Sequence, residues 1–356
     1  MTASAKSRRQ APVFVVGSPR SGTTLLYDML LSAGEFAVYL TESNVFSLLA
    51  QRFGSLENRT NRQKFMNIWL DSKLFRASGL DPEVIERRVL EGCRNYGDFL
   101  RITMEEIAHY QKMSRWAENT PEHLIYIPLI KATIPDVLVV HMIRDGRAVA
   151  LSLDKRSDRG LQALPWDKDK NLLVQGLYWE WIVRRGRAYG QKLGPDYIEL
   201  RFEDLIQSPA ESLAKLGKFI DQELDYDHIQ QVGYGSVSKP NTSFQKEPKE
   251  ASFDPVSRWR KAFSQEQLEQ FEALVGEYLQ ELGYALLTNG KNLRKGQLSR
   301  MKSFYPLYFS ARFRLKNSAI SRMLRPPLTA KELDYIVMGD DHPPRLKNPA
   351  FAEKQF

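Results

Sequence analysis

A single cysteine, Cys93, stands among 356 residues, so the chain can form neither an intramolecular disulfide nor a cysteine-based zinc site. Nothing in it asks for an oxidising compartment, and the reducing cytoplasm is the expectation. Only five histidines are present, and no His, Cys or carboxylate group has convincing metal-ligand spacing, so no metal is expected. No run approaches the roughly 18 apolar residues of a membrane span, and the opening MTASAKSRRQAPVF is basic without an apolar stretch of leader length. Neither a spanning segment nor a secretory leader is expected.

Acidic residues are missing from one region only. Residues 291–330 hold ten Lys or Arg and no Asp or Glu, against a net charge of +8 for the whole chain, so the main body is close to neutral. Basicity confined to one end does not describe a nucleic-acid binder. Within it, RMKSFYPLYFSARFRLKNSAISRMLRPP (300–327) mixes aromatics with bases. Such a segment suits packing on its own domain equally with peripheral contact on an anionic membrane or a partner. A homodimer stays open.

What is present is ordinary for a folded protein: 42% hydrophobic and 26% charged residues. The length accommodates one large domain with an appendage. The expected division is a flexible N-terminus over 1–11, a domain over 12–287 with a helical substrate-side insertion at 45–115, and a basic extension over 288–356. Pro12 to Val16 reads as a buried strand, followed by a glycine-containing turn and an apolar-faced helix ending at Gly34. Phe36 to Leu40 reads as a second strand that delivers Thr41, Glu42 and Ser43. Val137 to Ile143 and Tyr197 to Phe202 read as further strands. Helices are expected to open near Arg147, at Ser208 with Pro209 and a capping-box Glu211, and at Ser264 with Gln267. This alternation predicts an α/β fold: a central parallel sheet with helices on both faces.

The octapeptide Gly17-Ser18-Pro19-Arg20-Ser21-Gly22-Thr23-Thr24 lies between a predicted strand and helix, where backbone N–H groups and the helix dipole can cradle an anion. Nucleoside triphosphatases need Lys just before the last Ser or Thr of such a loop. Thr23 occupies that place, so an ordinary triphosphate is not the ligand the loop invites. Arg20 supplies charge from inside the loop, where its planar guanidinium can meet two oxygens at once. Arg144 closes a second strand, where open α/β sheets place ligands. Ser152 follows it about two helical turns along the same face, and the two make a second anion position.

FVVGSPRSGTT and VVHMIRDGRAVALSL resemble the two donor-binding motifs of the sulfotransferase superfamily that uses 3'-phosphoadenosine 5'-phosphosulfate, its bacterial and Golgi-type members most. The similarity continues through DYIELRFEDLIQSP and SRWRKAFSQEQLEQFEALVGEYLQELGY and covers about residues 11 to 285. The resemblance implies that Pro19, Arg20, Ser21, Gly22, Thr23 and Thr24 bind the 5'-phosphosulfate and that Arg144 and Ser152 bind the 3'-phosphate. It further implies that Phe202 lies near adenine and that Arg258 and Arg260, from SRWRK, close over the nucleotide. ENTPEH departs from the family: Asn119 stands where many relatives have a catalytic lysine. Lys131 and Arg147 are the other cations considered for that role. The base that takes the acceptor's proton is expected to be Glu42, with His123 its rival, while His141 reads as a packed core residue.

The expected activity is sulfuryl transfer from that donor to a hydroxyl or amine on a carbohydrate, lipid or small molecule. A P-loop kinase or phosphotransferase, and a catalytically silent nucleotide-binding protein on the same scaffold, are the alternatives.

Overall fold

The computed structural model describes residues 8–155, 162–233, 254–288, 295–325 and 328–338. Strands apolar on both sides of the pleat need cover on both faces, and the two strongest apolar runs of this chain lie side by side at the centre of the sheet. Four parallel strands, β1 (Val13–Gly17), β2 (Ala117–Glu118), β3 (Leu138–Ile143) and β4 (Tyr197–Arg201), are arranged in the order β2-β1-β3-β4. Val13, Val15, Val140, Met142 and Leu200 turn to one core, and Phe14, Val16, Val139 and Ile143 to the other. Because every strand runs the same way, Gly17, Ile143 and Arg201 end at one edge, while the short β2 pairs only with Val13 and Phe14 and stops short of it at Glu118.

The first helix, α1 (Thr23–Ser32), leaves that edge directly after β1. Four helices then fill the expected insertion: α2 (Arg59–Leu70), α3 (Lys73–Ser78), α4 (Pro82–Gly92) and α5 (Tyr96–Gln111). Each opens on a residue suited to satisfy the first amides, with Asn58, Ser72, Asp81 and Asn95 all accepting from backbone N–H groups. After α6 (Ile127–Thr133), β3 feeds α7 (Gly146–Asp154) and then the long α8 (Asn171–Gly190). Gly146 is required where these two cross, since a Cβ there would lie 2.5 Å from the buried Trp179 ring. β4 continues into α9 (Phe202–Gln207), α10 (Pro209–Ile220) and α11 (Tyr226–Val232), followed by α12 (Trp259–Ala262) and α13 (Gln265–Glu281).

The C-terminal segment forms α14 (Lys295–Lys316), α15 (Ala319–Leu324) and α16 (Ala330–Met338). Met301, Tyr305 and Phe309 are buried with α8 side chains. The Tyr305 hydroxyl donates to Asp167 Oδ2 at 3.0 Å, and Trp181 Nε1 donates to Ser310 Oγ at 3.0 Å. Leu328 and Leu333 are buried in the same core, and Asp334 accepts from the Lys73 N–H at 2.6 Å. Residues 288–356 thus pack in part on the preceding residues; 289–294, 326–327 and 339–356 lie outside the described residues, as do 1–7 of the N-terminus expected to be flexible. Its remaining residues are held, with Arg8 donating to the Phe219 carbonyl at 2.5 Å.

Two local expectations are corrected. Phe36 to Leu40 is not a strand: its pairing is one isolated bridge between Phe36 and Arg115. The side-chain amide of Gln111 takes both backbone groups of Val38, accepting at 2.7 Å and donating at 2.9 Å, in place of a neighbouring strand. Ser208 occupies the cap position of α10, but its side chain makes no capping bond there. The capping box of Ser264 and Gln267 does form.

Candidate functional site

The loop after β1 turns through two left-handed residues, Arg20 at φ 74° and Gly22 at φ 88°. Only the first carries a side chain, at a conformational cost of about 1 kcal/mol. Such strain persists where surrounding contacts impose it, commonly at ligand sites. Gly22 is also forced by space, because a Cβ there would stand 2.2 Å from Cδ2 of Phe202. α1 opens with no side-chain cap and no acidic residue in its first turn, which leaves a positive helix end and unsatisfied amides for an anion. The hydroxyl of Ser21 is buried there without a protein partner.

Arg20 reaches across to the second motif, its Nε donating to Ser152 Oγ on α7 at 2.9 Å. Arg144, the residue after β3, donates from Nη1 to the Arg20 carbonyl at 3.0 Å and from Nη2 to the Pro255 carbonyl at 2.6 Å. Burial lowers the pKa of its guanidinium, and Glu203 and Asp145 oppose that shift. The Pro255 contact sets the start of α12 beside Arg144. Arg258 is the N-terminal cap of that helix and Arg260 is exposed on it, 5.4 Å from the centre of the Trp259 ring. Phe202 is only 4% exposed, with the Arg144 guanidinium 4.1 Å from its ring centre and Gly22 against its edge. It underpins both motifs from below and offers little open ring to a base.

On the other side of β1, the sequence reading missed a hub. Glu118, the last residue of β2, is buried and accepts from Ser43 Oγ at 2.7 Å and Thr120 Oγ1 at 2.5 Å through Oε1. Its Oε2 faces His123 Nδ1 at 2.9 Å and the Thr120 N–H at 3.2 Å. Burial pushes the Glu118 carboxyl up, but the His123 imidazole and the hydrogen bonds from His123, Thr120 and Ser43 outweigh it and hold it below its ordinary value. A further stitch runs from the Asn44 N–H to Thr120 Oγ1 at 3.2 Å. The loop bearing Glu42 is thereby fastened to the segment bearing Asn119. Glu42 itself is partly exposed between them. Asn119 is buried, with its Oδ1 lacking a protein partner.

His123 is fully buried, and its Nε2 accepts from the Phe46 N–H at 3.2 Å. With Nε2 accepting, the ring carries its proton on Nδ1 and donates it to Glu118, so both nitrogens are engaged. The two substitute cations are also spoken for. Lys131 pairs with Asp196 at 2.7 Å, near the opposite, N-terminal ends of β3 and β4. Arg147 is clamped by Asp145 at 2.8 Å and Glu272 at 2.6 Å, with Trp259 3.9 Å away. Neither reaches the loop of Arg20. His141 is a core residue as expected: it is buried on β3, its Nδ1 is 2.6 Å from the Tyr197 hydroxyl, and burial lowers its pKa to about 3.

The structure thus joins the Arg20 loop, Ser152 and Arg144 by hydrogen bonds, and separately fastens the loop of Glu42 to the segment of Asn119 through Glu118 and Thr120. The chain belongs to the sulfotransferase family, whose sequence profile matches residues 12–226. A Caenorhabditis briggsae protein provisionally named a protein-tyrosine sulfotransferase is 23% identical over 279 residues, 76% of this chain and 88% of its own length. The sulfotransferase domain of a Synechococcus olefin synthase superposes with a TM-score of 0.50 at 16% identity, over 80% of this chain and 100% of that domain. The sulfotransferase domain from the curacin biosynthetic pathway gives 0.49 at 14% identity, over 79% and 100%. The parallel sheet flanked by helices is the fold this family uses.

Proposed function

We propose that this chain transfers a sulfuryl group from 3'-phosphoadenosine 5'-phosphosulfate to a hydroxyl or amine of its acceptor, without a metal. The observation that carries the reading is the Arg20–Ser152 hydrogen bond, which unites two anion-binding segments at the ligand edge of a parallel sheet. In this reading Pro19 to Thr24 wrap the 5'-phosphosulfate, Arg144 and Ser152 hold the 3'-phosphate, and Arg258 and Arg260 close from above. Phe202 supports the two motifs.

The acceptor oxygen or nitrogen attacks sulfur in line, and the bond from sulfur to the bridging oxygen of the 5'-phosphate breaks. The bond's electrons leave with the bisphosphate, and the acceptor's proton passes to Glu42. Glu42 is preferred over His123 because the imidazole has both nitrogens occupied. Arg20 and the loop amides stabilise charge on the departing phosphate. Asn119 can offer a hydrogen bond there but no charge, and this favours a second reading, a protein that holds the donor without turning it over.

Calorimetry of 3'-phosphoadenosine 5'-phosphate against ATP tests the donor site. The bisphosphate should bind more tightly than ATP, and Arg20→Ala and Arg144→Ala should each weaken it by about 10- to 100-fold, the worth of a charged hydrogen bond. Preference for ATP would overturn the reading in favour of a kinase. A panel of sugars, lipids, phenols, amines and a tyrosyl peptide, the last prompted by the name of the C. briggsae relative, then separates transfer from silent binding.

A further inference from the structure

α14 has two apolar rows. Leu298, Met301, Tyr305 and Phe309 recur every three or four residues and face the core. A second row, Phe304, Leu307, Ala311 and Leu315, has the same spacing and is exposed, Leu307 by 72% and Leu315 by 60%. The next helix, α15, exposes Ile320, Met323 and Leu324 by 62%, 85% and 79%. Twelve large apolar side chains are exposed among the described residues, and six of them fall between 304 and 324. Single exposed leucines need no explanation, but a concentration of half the exposed set on two successive helices does.

The same helices are cationic. Arg300, Lys302 and Lys316 have acidic partners in Asp167, Glu277 and Glu122. Among the described residues no carboxylate lies within ion-pair distance of Arg312, Arg314 or Arg322, and 291–330 contain no acid to neutralise them. A second copy of this chain laid on the same face would press like charges together. A nucleic acid would use the arginines and leave the apolar row in water. An anionic bilayer surface takes both, with the apolar side chains entering the acyl boundary and the arginines meeting lipid phosphates.

We propose that α14 and α15 form a peripheral docking face for an anionic lipid bilayer, independently of the donor-site reading. The test is flotation of the full chain with phosphatidylcholine vesicles, with and without about 30% phosphatidylserine, at low and high salt. The chain should float with the anionic vesicles, lose binding in high salt, and stay behind with the neutral ones. Arg312→Glu, Arg314→Glu and Arg322→Glu together should lower vesicle affinity at least about tenfold. Leu307→Ser, Met323→Ser and Leu324→Ser should do the same with an unchanged thermal melt. Absence of flotation by the native chain would overturn the proposal. So would vesicle binding insensitive to both sets, or a dimer in sedimentation that the serine set splits.

Discussion

Arg20 Nε donates to Ser152 Oγ at 2.9 Å, joining side chains 132 positions apart. The bond fixes the one charged side chain of the loop, so Ser152→Ala should free Arg20 without removing its charge. Affinity for 3'-phosphoadenosine 5'-phosphate should fall by about five- to tenfold, less than for Arg20→Ala. In a double-mutant cycle read by calorimetry, the two losses should sum to more than that of the paired variant. Additive losses would mean the two residues act separately.

Gly22 is constrained twice, by φ 88° and by the Phe202 ring 2.2 Å from where a Cβ would stand. Gly22→Ala should cost about 1–3 kcal/mol in urea denaturation. Adding Phe202→Leu should recover part of it, since the smaller side chain removes the clash but leaves the left-handed backbone. No recovery would place the whole cost on the backbone.

His141 introduces a pH dependence unrelated to catalysis. Its pKa falls from 6.5 to about 3 on burial, so the unfolded chain binds the proton more readily. Stability is then full above 6.5 and declines as pH falls toward the folded value. Between pH 7 and 5 this group should remove about 2 kcal/mol. His141→Leu should flatten that part of the stability profile in chemical denaturation, and an unchanged slope would assign it elsewhere.

Glu118 works in a lower window. Its folded pKa lies below the ordinary 4.5, so its contribution is complete above that value and disappears as pH falls through the folded one. Glu118→Gln would turn an amide toward the hydroxyls of Ser43 and Thr120 and should cost about 3 kcal/mol near neutrality. The gap to the native chain should close in acid. Since Ser43 follows Glu42, the variant should also lower turnover more than bisphosphate affinity.

Much of the parallel α/β frame was legible because its signals are local. A glycine turn between an apolar run and an apolar-faced helix marked β1 and α1, and VLVVHMI marked β3 with Arg144 directly after it. The buried network around Glu118 was not legible for the opposite reason. β2 is two residues long, so Glu118 showed no strand pattern, and although Thr120 and His123 lie two and five positions on, Ser43 is brought to it from 75 positions away by the fold. Arg144 and Arg147 are indistinguishable by composition; the buried Glu272, 125 positions away, claims the second for the scaffold. Phe36 to Leu40 had strand-like residues, and a single distant glutamine displaced the ladder.

Leu328 and Leu333 sit in the same core as Trp69 and Leu74 of the insertion, together with Met301 and Tyr305. A nascent chain that has emerged only to residue 290 therefore holds all four strands of the sheet yet leaves one wall of its interior open. Closure of that wall waits for α16 to leave the ribosome, so the core side chains Leu298, Met301, Tyr305, Phe309, Leu328 and Leu333 are the last to be added during synthesis.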